Sequence, residues 1–264
     1  MIDLVVSGAT GRMGRTLGAR IRAADGLRAI GGVAPDRPPE GAEAIGYPEI
    51  VDVADAVPMV RGADAIIDFS APEQLSALLA GAVGALEGKA LLVGTTGLTD
   101  ELMDALDAVA EISAVLVASN FSVGVNLLME LVERAAGALS AEGYDIEVVE
   151  AHHGGKEDAP SGTALSLAEA AARGRDRPLD EYRRDGRSGR VGARPVGEIG
   201  LHAVRGGGIA GEHTVRFLGA GEEVVLGHRA GSRELFADGA LVAARWLVGR
   251  APGWYTMRQV LELT

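Results

Sequence analysis

An apolar run, Asp3-Leu-Val-Val-Ser7, passes directly into Gly8-Ala-Thr-Gly11-Arg-Met-Gly14, and a stretch able to be helical continues to about Ala24. Strand, glycine turn and helix in immediate succession constrain the fold more than any other feature of the chain. A strand that is apolar on both faces needs cover on both, which a parallel sheet flanked by helices supplies. The glycines are spaced GxxGxxG and not GxGxxG. The physics is the same, because small residues let the backbone approach a pyrophosphate at a helix N-terminus. The turn predicts a dinucleotide site built from Gly8, Ala9, Thr10, Gly11, Arg12, Met13 and Gly14, with Arg12 adding charge toward the phosphates.

The next stretches repeat the alternation. Leu27 to Ala34 reads as a second strand and is followed by Asp36 and Arg37. An acidic group after this strand takes the ribose hydroxyls of NAD, and an arginine there takes the extra phosphate of NADP. Having both predicts tolerance of NADH or NADPH, with an ordinary polar turn over 35–39 as the competing reading. Glu49 to about Arg61 reads as helix, Asp64 to Phe69 as strand, and Ser70-Ala-Pro-Glu73 as the start of a helix capped by Ser70. Lys89 to Val93 is a fourth strand ending in Gly94-Thr95-Thr96-Gly97. That strand end predicts a place in the crevice where a nicotinamide lies. A helix over Thr99 to about Glu111 precedes the strand Ala114 to Ala118, which runs into Ser119-Asn120-Phe121. The alternation predicts an α/β fold with a parallel, doubly wound, Rossmann-like sheet.

The 264 residues suffice for two modest domains, and the boundary is expected at Ser122 to Asn126. Beyond it the pattern changes. An amphipathic helix (Val125 to Leu139) and a strand (Asp145 to Glu150) lead to a helix starting near Gly162. Arg173 to Arg194, rich in Arg, Gly and Asp, reads as a long mobile loop. Glu198 to Arg205, Glu212 to Gly219 and Glu223 to Ala230 read as antiparallel strands, which predicts a second α+β domain on an open, mostly antiparallel sheet with one covered face. Ser232 to Arg250 is a long helix, and Gly253 onward a short helix and tail.

Composition narrows the function. Without cysteine there is no disulfide, thiol catalysis or cysteine-held metal. A net charge of −12 argues against a nucleic-acid partner. No apolar run approaches the roughly 20 residues of a membrane span, and the chain opens on a strand and not a signal peptide, so the expectation is a cytoplasmic protein.

Chemistry concentrates in Glu150 to Leu165, EAHHGGKEDAPSGTAL. His152 and His153 are two of five histidines, and Lys156 is one of two lysines. Histidine exchanges protons near neutral pH, and a lysine kept in an arginine-rich chain suits a site needing a compact ammonium. Gly154 and Gly155 leave the backbone free to turn these side chains toward one ligand. Ser161 is placed to cap the following helix, whose first amides, at Gly162 and Thr163, would take a carboxylate. Adjacent histidines without a HExxH spacing argue against a metal.

This segment, together with GATGRMGR (8–15), GTTG (94–97), ASNFSVGVN (118–126) and GEHTVRF (211–217), resembles the dihydrodipicolinate reductases of the diaminopimelate route to lysine. The motifs fall in the family's order and span nearly the whole chain. The resemblance implies reduction of a cyclic dicarboxylate, 4-hydroxy-tetrahydrodipicolinate, by NADPH or NADH. It assigns the proton donor to His152, a supporting cation or second donor to Lys156, and substrate contacts to His153, Gly162 and Thr163. Gly94, Thr95, Thr96, Ala118, Ser119, Asn120 and Phe121 would meet the cofactor beside the glycine turn, Asp36 and Arg37. It further implies that 232–264 rejoins 1–122 in the dinucleotide domain, that 123–231 binds substrate and joins subunits, and that the assembly is a homotetramer. Where the family often carries basic or polar residues, this chain has Gly154-Gly155, which would either weaken dicarboxylate binding or shift it toward Arg205 or the 173–194 loop.

Three alternatives stand beside this reading. An extended short-chain dehydrogenase is discounted, because Tyr47, Tyr144, Tyr182 and Tyr255 have no lysine four residues on. A dinucleotide-sensing module without turnover would have no need of the HHGGK segment. A reductase of another imine would keep every part.

Overall fold

A computed structural model describes residues 1–38 and 40–263, which form two compact units, 1–123 with 233–262 and 124–232. Pro39 in the expected polar turn and Thr264 at the end of the first domain's expected range lie outside the described residues.

The first unit is a seven-stranded sheet in the order β12-β6-β5-β4-β1-β2-β3, all pairings parallel. Its strands are β1 (Ile2–Ser7), β2 (Leu27–Val33), β3 (Ile50–Val51), β4 (Ala65–Asp68), β5 (Ala90–Val93), β6 (Ala114–Val117) and β12 (Gly253–Tyr255). Its helices are α1 (Arg12–Ala23), α2 (Val57–Gly62), α3 (Pro72–Ala82), α4 (Asp100–Ala110), α8 (Glu234–Leu247) and α9 (Met257–Val260). The β1 alternation shows why the strands are apolar throughout. Leu4 and Val6 pack with α1, α8 and α9 through Leu17, Ile21, Ala240 and Leu247, whereas Val5 packs with α2, α3 and α4 through Val60, Leu75 and Leu106. Each strand therefore feeds two cores.

Three local expectations change here. The stretch expected to be helical from Glu49 opens with β3, because Ile50 and Val51 are β-branched and pair with Gly32 and Val33 of β2; a 3-10 turn capped by Asp52 then precedes α2. Ser70 does not cap α3; Ala71 holds that position and the Ser70 hydroxyl donates to Asp68 Oδ2 at 2.8 Å. The C-terminal tail contributes β12, paired with β6, before α9.

The second unit holds α5 (Val123–Ala138), β7 (Tyr144–His152), α6 (Gly162–Gly174), α7 (Leu179–Tyr182), β8 (Arg183–Asp185), β9 (Ile199–Arg205), β10 (Glu212–Gly219) and β11 (Glu223–Arg229). The sheet order is β11-β10-β7-β9-β8. β10 is antiparallel to β7 and β11, as expected, but β9 lies parallel to β7 and β8, so the sheet is mixed. Ile146, Val148, Leu201, Val215 and Phe217 pack against α5 and α6 through Leu128, Val132, Leu167 and Ala171.

The expected loop over Arg173 to Arg194 contains α7 and β8. Glu147, at the middle of β7, receives Arg187 Nη2 at 2.8 Å, Arg194 Nε at 3.0 Å and His202 Nε2 at 2.6 Å. Burial pushes the Glu147 carboxyl up, but these donors outweigh it and hold the group at about 2. The ion pairs fasten 187–194 to the sheet. Among the described residues, no helix is long and apolar enough to cross a membrane.

Candidate active site

In the first unit the expected cofactor residues gather at the carboxyl ends of β1, β2, β5 and β6. Gly8 has φ 80°, and an added Cβ would collide with the Phe69 carbonyl. A Cβ on Gly14 would collide with the Gly8 carbonyl, so both positions admit only glycine. Gly11 is the N-cap of α1 and supplies no side-chain cap. The amides of the first helical turn, at Arg12, Met13 and Gly14, thereby keep the partial positive charge that suits a phosphate. Arg12 is exposed, while Met13 packs against the core. The turn thus fits a dinucleotide: it has a cradle that a side chain would fill and a helix end no side chain closes.

Thr10 Oγ1 donates to Asp36 Oδ1 at 2.7 Å, bringing Asp36 to the glycine turn. Arg37 instead donates to the Ile50 carbonyl, so the expected pair diverges. Arg15, which the sequence reading missed, donates Nε to the Thr10 carbonyl at 2.9 Å.

Gly94 leaves room for the Phe69 ring, whose centroid lies 5.5 Å from that of Phe121. Thr96 and Ser119 are exposed, Ala118 donates its amide to Val93 at 3.0 Å, and Asn120 Oδ1 accepts from the Ser122 amide at 2.8 Å. Beneath lies Asp68, fully buried at the end of β4. Thr95 and Ser70 donate their hydroxyls to it, Ser7 adds a third, and the Ser70 amide donates to Thr95 Oγ1 at 2.9 Å. Burial pushes the Asp68 carboxyl above its usual range against these hydrogen bonds. Asp68, Phe69 and Ser70 therefore connect three of the expected cofactor motifs, although the sequence reading used them only as a strand end and a cap. The available signal was an acid closing the apolar strand Ala65–Asp68.

In the second unit the expected catalytic segment leaves the end of β7. Glu150 and His152 are two residues apart on the strand and share a face. Glu150 Oε2 meets His152 Nδ1 at 2.6 Å, and its Oε1 accepts the Ser161 amide at 3.0 Å. Arg205, the partner of His152 on β9, grips both oxygens through Nη1 and Nη2, each at 2.7 Å. Burial pushes the Glu150 carboxyl up, but Arg205, His152 and Ser161 together hold it below its usual range. Arg205 also donates Nη2 to the Asp158 carbonyl at 2.6 Å.

Backbone bonds from His153 to Ile209 (2.8 Å), Gly154 to Gly207 (3.3 Å) and Gly206 to His152 (2.9 Å) fasten the HHGG segment to the β9–β10 turn. Lys156 Nζ reaches Asp158 Oδ1 at 2.8 Å. Ser161 caps α6, accepting the Ala164 amide at 3.2 Å, so Gly162 and Thr163 are its first two residues and open space surrounds Gly162. His213, left out of the expected site, is buried here: its ring lies 5.2 Å from that of His152 and its Nε2 3.1 Å from Ser161 Oγ. Burial pushes His213 down to about 4, so it is neutral at neutral pH. It stands opposite Glu150 on β10, a register that the GEHTVRF motif does not state.

Two family descriptions match the chain, the dihydrodipicolinate reductase N-terminus over residues 2–121 and the dihydrodipicolinate reductase C-terminus over 124–261. The chain belongs to the dihydrodipicolinate reductase family. It is 44% identical over 260 residues to the 4-hydroxy-tetrahydrodipicolinate reductase of Caulobacter vibrioides, covering 98% of this chain and 97% of that one. It is 45% identical over 273 residues to the enzyme of the same name from Myxococcus xanthus, covering 99% and 98%. The fold of a dipicolinate-bound dihydrodipicolinate reductase from a Paenisporosarcina species matches over the whole of both chains, with a TM-score of 0.74 at 22% identity.

Proposed function

We propose that the chain catalyses reduction of 4-hydroxy-tetrahydrodipicolinate to tetrahydrodipicolinate, with loss of water, by a nicotinamide dinucleotide in the diaminopimelate route to lysine. The observation that carries this reading is that, in a member of this family, one carboxylate, Glu150, joins His152 to the capped start of α6, with Lys156 in the segment between them.

The bound dinucleotide supplies the hydride. As the ring hydroxyl leaves as water a conjugated imine remains; C4 takes the hydride and C3 takes a proton. His152 is the donor of that proton, because its ring is oriented by Glu150. Lys156 lowers the energy of the developing negative charge and shares the site's cationic character with the first amides of α6. Those amides, at Gly162 and Thr163, bind one substrate carboxylate, and His153 contacts the substrate from the same segment. In the first unit, Gly8, Ala9, Thr10, Gly11, Arg12, Met13 and Gly14 hold the pyrophosphate, and Gly94, Thr95, Thr96, Ala118, Ser119, Asn120 and Phe121 the nicotinamide side. Asp36 binds the adenosine ribose of NADH and Arg37, on turning from Ile50, the phosphate of NADPH, so both cofactors are accepted. Residues 123–231 serve substrate binding and assembly of a homotetramer, with Val204 and Val225 exposed on the sheet. A cytoplasmic location fits the work of a small-molecule biosynthetic enzyme.

The test is oxidation of NADPH and NADH by the purified protein, with substrate made in the same cuvette by the preceding synthase from pyruvate and aspartate semialdehyde. Oxidation should require the synthase and fall roughly 10²- to 10³-fold in Lys156→Ala with dinucleotide binding intact. If neither cofactor is consumed while both still bind, the reading is wrong and a sensing role takes its place.

A further inference from the structure

A histidine that delivers a proton must hold its other ring nitrogen in a fixed state, and here the fixing group is identifiable. His152 Nδ1 lies 2.6 Å from a carboxylate oxygen of Glu150, an acceptor, so Nδ1 carries a hydrogen and Nε2 is the nitrogen left to act. At Gly211 an added Cβ would lie 3.2 Å from Nε2, so the absence of a side chain there keeps that nitrogen approachable. The same carboxylate accepts the Ser161 amide at the cap of α6. Arg205 grips its two oxygens in parallel, which fixes the plane of the group.

We infer that Glu150 is a positioning residue of the reduction: one carboxylate sets the tautomer of His152 and ties that ring to the helix start that takes the substrate carboxylate. The inference rests on the function proposed above. In the step itself, the Nε2–H bond of the His152 imidazolium breaks and a C–H bond forms at the electron-rich ring carbon. The imidazole left behind is neutral and keeps its hydrogen on Nδ1. Glu150 stays ionised throughout, because Arg205 and the Ser161 amide stabilise the carboxylate against taking that hydrogen. Nε2 is recharged from solvent.

Glu150→Gln is the informative change because it preserves shape. A glutamine presents one oxygen and one NH2 where four donors now converge, so its NH2 faces either His152 with Arg205 Nη1 or the Ser161 amide with Arg205 Nη2. In the synthase-coupled assay, kcat should fall about 50-fold with the dinucleotide KM within about twofold, since the proton transfer slows and cofactor binding does not involve Glu150. The solvent deuterium isotope effect on kcat should rise as that transfer becomes limiting. Nitrogen-15 NMR of the His152 ring should show the hydrogen on Nδ1 in the parent protein and a loss of that preference in the variant. Parent-like kcat, isotope effect and ring spectrum in Glu150→Gln would overturn the inference. Should that variant fail to fold, Arg205→Lys keeps the cation but not the two-point grip, and an unchanged kcat and isotope effect there would overturn it equally. Loss of turnover in His152→Gln alongside an active Glu150→Gln would leave the reductase reading standing and remove only this one; an inactive parent protein would remove both.

Discussion

Asp68 and Glu150 are both carboxylates with almost no exposed surface, one in each unit, and their surroundings push them in opposite directions. Asp68 is met by hydroxyls of Ser7, Ser70 and Thr95 and by the Ser70 amide, without a cation among its described partners. Glu150 is met by a guanidinium, an imidazole and an amide. Neutral donors only partly offset the cost of burying a charge, whereas a paired cation outweighs it. Burial alone therefore does not say what a carboxylate is for. The donors around Asp68 come from the ends of β1 and β4 and the loop after β5, so the group organises backbone; those around Glu150 organise charge at a reacting side chain.

The largest expected effect that would break this contrast is on stability. Glu150→Ala strands the Arg205 guanidinium and should cost about 3–5 kcal/mol in denaturant unfolding, while Glu150→Leu with Arg205→Met should recover most of it. Next comes pH. His213, held at about 4 against an ordinary value near 6.5, binds its proton more readily in the unfolded chain, so stability is full above about 6.5 and falls as pH drops toward 4. The loss should be on the order of 1–3 kcal/mol, and His213→Gln should flatten it. The two carboxylates also diverge in sign. Glu150 contributes fully above its ordinary 4.5 and loses that contribution as pH falls through its lowered value, whereas Asp68 favours the folded state more as pH falls through its raised value, a gain complete at its ordinary 3.8. Unfolding titrations of Glu150→Gln and Asp68→Asn should therefore depart from the parent in opposite senses.

A smaller effect sharpens the contrast. Asp68→Asn keeps an acceptor for Thr95 and leaves no cation stranded, so it should change unfolding free energy by about 1 kcal/mol or less; a loss as large as that of Glu150→Ala would mean the surroundings do not matter as argued. Smallest of all, Asp158→Asn removes the partner of Lys156 from a side chain 62% exposed and should alter stability by less than about 0.5 kcal/mol.

Much of the first unit was legible in the chain because its signals are local. The apolar run of β1, the glycine turn and the helix after it lie within two dozen residues, and their physics needs no distant partner. Asp68 escaped notice because its donors come from separate strand ends. In the second unit, residues 187–194 carry no periodicity, and what orders them is Glu147, some 40 residues earlier. His213 became part of the site through cross-strand register, its place opposite Glu150, which no motif spacing states. The parallel placement of β9 beside β7 was hidden for the same reason: all three late strands have similar patterns, and pairing is decided by the sheet. The family, in contrast, was legible from motifs strung in order along nearly the whole chain, and the matches over 2–121 and 124–261 agree.

The split of the first unit between residues 1–123 and 233–262 has a consequence for how the chain is made. When a ribosome has released the first 123 residues, β6 is a bare edge and the face that α8 later covers with Ala237, Ala240, Ala244 and Leu247 is exposed. Residues 124–232 emerge next as an uninterrupted stretch carrying their own core. The unit begun second is therefore the first that can be finished, and the nascent dinucleotide sheet must wait, one strand and two helices short, until residues 233–260 have been added.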